Sequence, residues 1–242
     1  MMLISTFIKR RILHLRHRWI GYLTSLLLIP LALYFTLQLS LGEWLNADWL
    51  FPGILFIMAL LAGMLPLWGD LQRSINSGFF DSIAASPNSG LAIVISMIIS
   101  TVLELLLRTV VAATVLIILI GNIPSVLPLI GTIMMAVLAG LFGSSLITVW
   151  LFAANQRSSH FFGIFSTLLF IIFASGWLIP FENYPNSLTN VLTWLPTSQL
   201  MSAGRSLFMT GQFADWMWIL AVAETVLLII LSGYLFKKAY SR

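Results

Sequence analysis

The sequence predicts an all-α, polytopic membrane protein with six transmembrane helices. Of its 242 residues, 60% are hydrophobic and only 8% are charged, whereas soluble domains carry about 25% charged residues to cover their surface. The apolar residues also fall into six runs, and each run is long enough to cross a hydrocarbon core of about 30 Å as a helix. Transmembrane β-strands would instead give alternating segments of about ten residues.

The six apolar runs are the predicted spans of a single membrane domain, residues 1–242. They occupy residues 19–41, 49–69, 91–121, 127–153, 161–179 and 216–236. Together they leave no room for a soluble ATPase domain. The chain has no cysteine, which excludes disulfides, thiolate metal sites and thiol nucleophiles. We expect no metal site and no resident cofactor.

The basic residues predict the orientation of the chain, because cytoplasmic loops carry an excess of Lys and Arg. With a cytoplasmic N-terminus, the inner side holds ten of these residues and the outer side only Arg205. Both termini are then cytoplasmic. The inner residues are Lys9, Arg10, Arg11, Arg16, Arg18, Arg73, Arg157, Lys237, Lys238 and Arg242.

Residues 1–18 predict a helix that lies in the cytoplasmic interface of the membrane. Their apolar residues fall on one helical stripe, and most of their basic residues fall on the opposite side, which is typical of interfacial helices. The stripe consists of Ile4, Ile8, Ile12, Leu15 and Trp19. The alternative is a plain positively charged anchor ahead of the first span.

Segment 70–90, between the second and third spans, differs from an ordinary polar loop. It places Phe79, Phe80 and Ile83 among polar residues, and Pro87 would end any helix there. A short amphipathic helix with an exposed aromatic pair is suited to binding a soluble partner. The alternative is an interfacial helix within the lipid headgroups.

Segment 180–215, on the predicted outer side, is too apolar for a free loop. Prolines at positions 180, 185 and 196 interrupt it too often for a transmembrane span. Unpaired backbone groups are costly in lipid, so the segment needs helices that satisfy its backbone internally. We expect re-entrant helices that dip partway into the outer leaflet against the bundle.

Motifs in these two segments resemble the permease subunits of type 2 ABC exporters, and the resemblance covers nearly the whole chain. The cytoplasmic motif, of the form G-F-x-D, consists of Gly78, Phe79, Asp81, Ile83 and Pro87. The outer motif follows the fifth span and consists of Ser175, Gly176, Pro180, Glu182, Pro185, Leu188, Pro196 and Arg205. The cytoplasmic motif is more similar to the drug-resistance branch of that family than to the glycan-exporting branch.

The resemblance implies a half-transporter in a bacterial or archaeal cytoplasmic membrane. Two permease chains, identical or paralogous, would pair in the bilayer, and each would bind a separate ATP-binding subunit through segment 70–90. ATP and Mg²⁺ would be bound by that partner, in agreement with the lack of a G-x-x-x-x-G-K-[ST] motif in this chain. The coupling residues would be Gly78, Phe79, Phe80, Asp81, Ile83 and Pro87.

The resemblance also implies a substrate path at the seam between the two permeases, with the outer motif forming a lid. The path would be lined mainly by the second and fifth spans. The candidates for pore-lining residues are Phe56, Leu60, Met64, Phe165 and Phe173.

Three charged residues lie within the predicted spans. Glu104 and Arg108 are four residues apart in the third span, close enough to pair on one helix face, and Glu224 lies in the sixth. A charge within the bilayer costs about 2.5–3.5 kcal/mol or more, so such residues face the bundle interior and have partners. We expect a packing clamp formed by Glu104, Arg108 and Glu224. The alternatives are a coupling or substrate-sensing network and a proton relay.

Export is the function that these features favour. The substrate would be amphipathic or hydrophobic, such as a drug, lipid or peptide, with lipid-linked glycan as the second choice. A membrane-embedded enzyme is disfavoured, because the chain lacks H-E-x-x-H and G-x-S-x-G motifs. A stand-alone secondary carrier is disfavoured because such carriers usually contain internal repeats, and this sequence shows no convincing repeat between its two halves. The charge pattern does not indicate nucleic-acid binding.

Overall fold

Every regular element in the described part of the computed structural model is helical. The structure describes residues 2–17, 19–41, 47–85, 88–121, 125–154, 161–213 and 216–240. The α-helices are α1 Met2–His17, α2 Trp19–Leu41, α3 Ala47–Asn76, α4 Phe79–Ala84, α5 Gly90–Ile120, α6 Val126–Ala154, α7 Phe161–Ala174, α8 Asn186–Leu192, α9 Pro196–Thr210 and α10 Trp218–Tyr240. A 3-10 turn, Phe181–Asn183, lies between α7 and α8.

Five of these helices are long and apolar enough to cross a membrane: α2, α3, α5, α6 and α10. α2, α5, α6 and α10 match the predicted spans to within four residues at each end, whereas α3 continues seven residues beyond the predicted end of the second span and forms the start of segment 70–90. The five helices make the chain a multi-pass membrane protein. The predicted fifth span, 161–179, is helical only over the 14 residues of α7, which is about 21 Å at 1.5 Å per residue. A sixth crossing therefore stays a prediction.

A turn at Gly176 accounts for the short length of α7. Gly176 has a φ of 67°, a left-handed conformation that residues with a Cβ rarely adopt. A Cβ at this position would also lie 2.8 Å from the ring of Phe181. The chain therefore leaves the helical path here and continues into the 3-10 turn.

α3 is the central helix of the bundle, and glycines allow its close approach to α6. A Cβ on Gly63 would lie 2.3 Å from the carbonyl oxygen of Gly140. A Cβ on Gly140 would lie 2.6 Å from the carbonyl oxygen of Ala59. Small residues at a crossing allow two membrane helices to pack backbone against backbone. As a result, α3 is buried along most of its length.

α8 and α9 differ in how they pack. No side chain of α8 is buried. α9 has a buried face against α6, where the Thr132 hydroxyl donates a hydrogen bond to the Gly204 carbonyl oxygen at 3.0 Å. Gly204 also lies against the ring of Phe56. α9 is thus a packed element of the bundle, and α8 lies on its surface.

At the opposite end of the bundle, an aromatic cluster holds α4 in place. The ring of Phe80 is fully buried and lies 5.9 Å from Phe152 of α6. It lies 5.4 Å from Phe236 and 5.5 Å from Tyr240, both in α10. The edge-to-face arrangement of these rings is the one that aromatic pairs prefer. Phe79 contacts Phe7, so α1 lies at the same end.

We predict that Phe80→Ala destabilises the protein by about 3–5 kcal/mol, the usual cost of removing a buried aromatic side chain. The measurement is thermal unfolding of the protein in detergent. Asp81→Ala is the matched control, because Asp81 is exposed on the same helix and its loss removes no core contact. Equal melting temperatures for the two variants would contradict the assignment of Phe80 to the core.

Candidate functional site

Arg11, in α1, lies at the centre of a charged cluster that joins three helices. Its side chain is only 8% exposed. Nε and Nη2 donate to Oε2 of Glu104 at 2.8 and 2.6 Å. Nη1 donates to Oδ2 of Asp70 at 2.7 Å. Arg11 thereby ties α1 to both α3 and α5 through charge-assisted hydrogen bonds, which are the strongest kind in proteins.

The second oxygen of Glu104 binds the second arginine of the cluster. Oε1 accepts from Arg108 at 2.9 Å, so the pair expected from the spacing of four residues is present. The Arg108 guanidinium also donates to the Ser25 hydroxyl at 3.2 Å. It lies 4.5 Å from the ring centroid of Tyr22, a cation–π distance. Arg108 thus extends the cluster to α2.

Glu224 does not belong to this cluster, so the prediction of a Glu104–Arg108–Glu224 clamp was wrong in its third member. α10 packs through the face that carries Ala221, Thr225 and Ser232, which are buried. Glu224 is exposed on another face. Arg11 takes the place assigned to Glu224. Sequence analysis missed it because Arg11 stands in a run of basic residues typical of a cytoplasmic anchor.

The cluster lies near the start of α2 and near the end of α3, level with the middle of the long helix α5. α5 has 31 residues, or about 46 Å, which exceeds the hydrocarbon thickness of about 30 Å by several turns. Glu104 binds Arg11 of the N-terminal helix, and Arg11 also binds Asp70, which lies six residues before the end of α3. Because α1 and the polar end of α3 lie beside it, we expect the carboxylate to lie near the membrane boundary on the α1 side.

An open cavity of about 460 Å³ lies beside the charged cluster, between α2, α3 and α5. Its charged lining comes from both carboxylates of the cluster and three arginines. Its uncharged lining includes Gly21, Leu65 and Pro66. Arg73 donates to Oδ1 of Asp70 at 2.5 Å and is 43% exposed. The cavity thus combines a charged wall with an apolar one.

The predicted coupling segment contains the expected short helix, but its aromatic pair is not exposed. Gly78, with a φ of 68°, precedes α4. Phe80 is in the core. Phe79 is half-buried, with the Arg10 guanidinium 4.4 Å from its ring centroid. The exposed residues are Asp81 and Ser82. The expectation of an exposed pair was wrong, because both rings fill gaps between helix ends.

Of the other predicted coupling residues, Ile83 is half-buried against the core, and Pro87 lies outside the described residues. The partly buried position of Ile83 gives α4 an apolar inner face, as the amphipathic pattern predicts. The structure thus assigns the two aromatic rings and Ile83 to anchoring the helix. Its polar residues form the surface.

The residues of the outer motif come together around the turn that ends α7. The hydroxyls of Ser175 and Thr197 are hydrogen-bonded at 2.5 Å. Arg205 of α9 donates to the carbonyl oxygens of Gly176 and Trp177 at 3.1 and 3.2 Å. Both carbonyl groups lie in the turn that follows α7, outside any helix, and an arginine from α9 supplies their hydrogen-bond donor.

The remaining motif residues lie at the boundaries of short elements. Pro180 precedes the 3-10 turn that contains Glu182, Pro185 precedes α8, and Pro196 is the first residue of α9. Burial lowers the pKa of Arg205 to about 9, while Glu182 acts in the opposite direction. The guanidinium therefore stays charged at neutral pH, and it stacks on Trp49.

The five pore-lining candidates divide into two groups. Phe56, Leu60 and Met64 are fully buried within the chain, so the prediction that they line a path on its surface was wrong. They pack over the glycines of α6 and α9, which sequence analysis could not locate in space. Phe165 and Phe173 are about half exposed on α7, so for these two residues the pore-lining role stays a prediction.

No protein-family profile matches the chain, and no curated protein matches it. Among the described residues, no group of three or more His, Asp and Glu could hold a metal ion. The charged cluster, the cavity and the two motif segments are therefore the features that can indicate a function.

We predict that Glu104→Leu destabilises the protein more than Arg108→Leu does. Glu104→Leu removes the acceptor of two buried arginines, and breaking a buried ion pair costs about 3–5 kcal/mol. Arg108→Leu leaves Glu104 bound to Arg11, so the cost is about 1–3 kcal/mol. The measurement is thermal unfolding in detergent.

The double variant Glu104→Leu/Arg108→Leu should recover only part of the Glu104→Leu loss, because Arg11 still lacks its main partner. Glu224→Leu is the control for removing a carboxylate from a membrane helix, and we expect it to change the melting temperature little. Equal destabilisation by the two single changes would refute the central position of Glu104.

Proposed function

We propose that this chain is the transmembrane subunit of an ATP-driven exporter, which a separate ATP-binding subunit powers by binding at α4. The observation that carries the proposal is the way α4 is held. One face is fixed to the bundle through Phe80, and the other presents Asp81 and Ser82 to solvent. A helix that transmits force from a soluble partner needs this combination of a rigid attachment and an accessible face.

Two routes lead from α4 into the membrane helices. The Phe80 ring contacts α6 and α10, so a displacement of α4 acts on both. Phe79 contacts Phe7 in α1, and Arg11 of the same helix binds α3 and α5. ATP binding and hydrolysis on the partner would move α4, and these contacts would convert the movement into rearrangement of the spans.

The proposed exporter contains two permease chains, and α7 is the best candidate for the surface between them. Its exposed face carries a row of aromatic and aliphatic side chains at helical spacing. The row consists of Phe162, Phe165, Leu169, Phe170 and Phe173. An apolar seam of this kind favours an amphipathic or hydrophobic substrate, such as a drug, lipid or peptide. In this proposal α7 makes the sixth crossing together with the chain that follows it.

The proposal assigns the α1 end of the bundle to the cytoplasm of a bacterial or archaeal cell. The basic residues of α1, together with Arg73 and the lysines at the end of α10, are the basis for this orientation. α8 and α9 would then belong to the outer side and form the proposed lid, with α9 dipping into the outer leaflet.

We predict that Ser82→Trp prevents binding of the ATP-binding subunit without unfolding the membrane subunit. Ser82 is exposed on α4, so the indole would obstruct the proposed contact surface. The measurement is co-purification with a co-expressed ABC ATP-binding subunit, together with ATPase activity. Asn186→Trp, on the exposed surface of α8, is the matched control and should leave both unchanged. Normal co-purification of Ser82→Trp would reject α4 as the coupling helix.

The orientation predicts which of two single cysteines reacts with an impermeant thiol reagent applied from outside the cell. The chain has no cysteine of its own, so each variant carries one reactive thiol. Asn186→Cys should be labelled in intact cells, and Ser82→Cys only after the membrane is opened. Labelling in the reverse order would overturn the assignment of sides.

A further inference from the structure

The cavity between α2, α3 and α5 carries an excess of positive charge. Its described ionisable lining consists of Arg11, Arg73, Arg108, Asp70 and Glu104. Three guanidinium groups against two carboxylates leave one net positive charge at a site near the membrane boundary. An anion entering the cavity would balance it.

The two carboxylates do not repel such an anion strongly, because arginines cover them. Both oxygens of Glu104 bind arginines, Oε1 to Arg108 and Oε2 to Arg11. Both oxygens of Asp70 do so as well, Oδ1 to Arg73 and Oδ2 to Arg11. The electrostatic potential inside the cavity is therefore determined mainly by the sides of the guanidinium groups that face away from the carboxylates.

A tyrosine with a buried hydroxyl lies beside the arginines of the cavity. The Tyr22 hydroxyl is buried, and no acceptor among the described residues lies within hydrogen-bond distance of it. Arg108, beside the Tyr22 ring, has donors only. The hydroxyl is closed off from solvent, so the donors that an anion in the cavity can reach are those of Arg108 and the exposed Arg73. These two arginines mark the anion-binding wall.

The shape of the cavity admits more than a small ion. A Cβ added to Gly21 would meet nothing within 4 Å, so the α2 side of the cavity is open space. Leu65, 38% exposed, and Pro66 form an apolar margin. A ligand with a charged head and an apolar body fits a polar wall next to an apolar margin at the membrane boundary.

We infer that this cavity binds the phosphate group of an anionic phospholipid from the leaflet on the α1 side. Basic pockets between membrane helices are suited to phospholipid headgroups, and the apolar margin distinguishes a lipid from a free phosphate. Lipid binding in this cavity requires only that the bundle is embedded in a membrane, so it does not depend on the proposed exporter function.

The test uses the full-length protein reconstituted in nanodiscs that contain phosphatidylglycerol and phosphatidylcholine. Native mass spectrometry of the released protein measures which lipid stays bound. We expect the wild type to retain phosphatidylglycerol preferentially. Gly21→Trp fills the cavity without changing its charge and should reduce that retention roughly tenfold or more, as expected for an occluded site. Arg73→Gln should reduce it about fivefold, for the loss of one basic residue.

Two matched controls separate the site from general effects. Leu23→Trp adds an indole on the opposite side of α2, and Lys9→Gln removes an exposed charge from α1 outside the cavity. Both should behave as wild type, and the melting temperature of each variant checks its fold. Equal retention of the two lipids by the wild type, or unchanged retention in both Gly21→Trp and Arg73→Gln, would overturn the inference.

A competition arm distinguishes the lipid from a soluble phosphate. Glycerol 3-phosphate is added to the nanodiscs at millimolar concentration before the measurement. We expect it to leave phosphatidylglycerol retention unchanged, because it lacks the apolar body that contacts the Leu65 side. Displacement of the lipid by glycerol 3-phosphate would assign the cavity to a soluble phosphate compound and reject the lipid.

Discussion

The Arg11–Glu104 contact is the interaction on which the arrangement of the α1 end depends. A carboxylate near hydrocarbon is tolerated only with a partner, and Glu104 takes one of its two arginines from the N-terminal helix. If α1 moved away, Glu104 and Asp70 would lose Arg11 together. The need of these two carboxylates for a positively charged partner therefore holds α1 in place, in addition to its apolar contacts. Arg11 also fixes the position of α3 relative to α5, because it binds a carboxylate on each.

This requirement explains why α1 presents a basic residue to the bundle. Phe7 and Arg11 are buried on its inner side, whereas Ile12 and Leu13 are more than half exposed. The stripe of isoleucines and leucines in the sequence predicts an apolar face toward the membrane interface, and Ile12 belongs to that stripe. Hydrophobic periodicity identifies a face that avoids water, but a membrane offers two apolar surroundings, lipid and protein. Exposed apolar side chains on α1 are compatible with contact with lipid, and the polar partners within the bundle attract Arg11.

The sequence was sufficient for features that depend on local composition. The bounds of α2 agree with the predicted first span, residues 19–41, because the apolar run has clear ends. The Glu104–Arg108 pair followed from helical spacing alone. Arg11 could not be connected to Glu104 in this way, because 93 residues separate them. The burial of Phe56, Leu60 and Met64 depends on glycines in other helices, and no single segment contains that information.

The attachment of α4 by Phe80 has a consequence for how this protein can change over evolutionary time. Residues that hold α4 in the bundle and residues that face outward are different residues on one short helix. Substitutions at Asp81 and Ser82 can therefore accumulate without loss of folding, since neither contributes to the core. Under the proposed function, a duplicated copy of the chain could acquire a different soluble partner through the outward side alone. Its membrane helices would remain as they were.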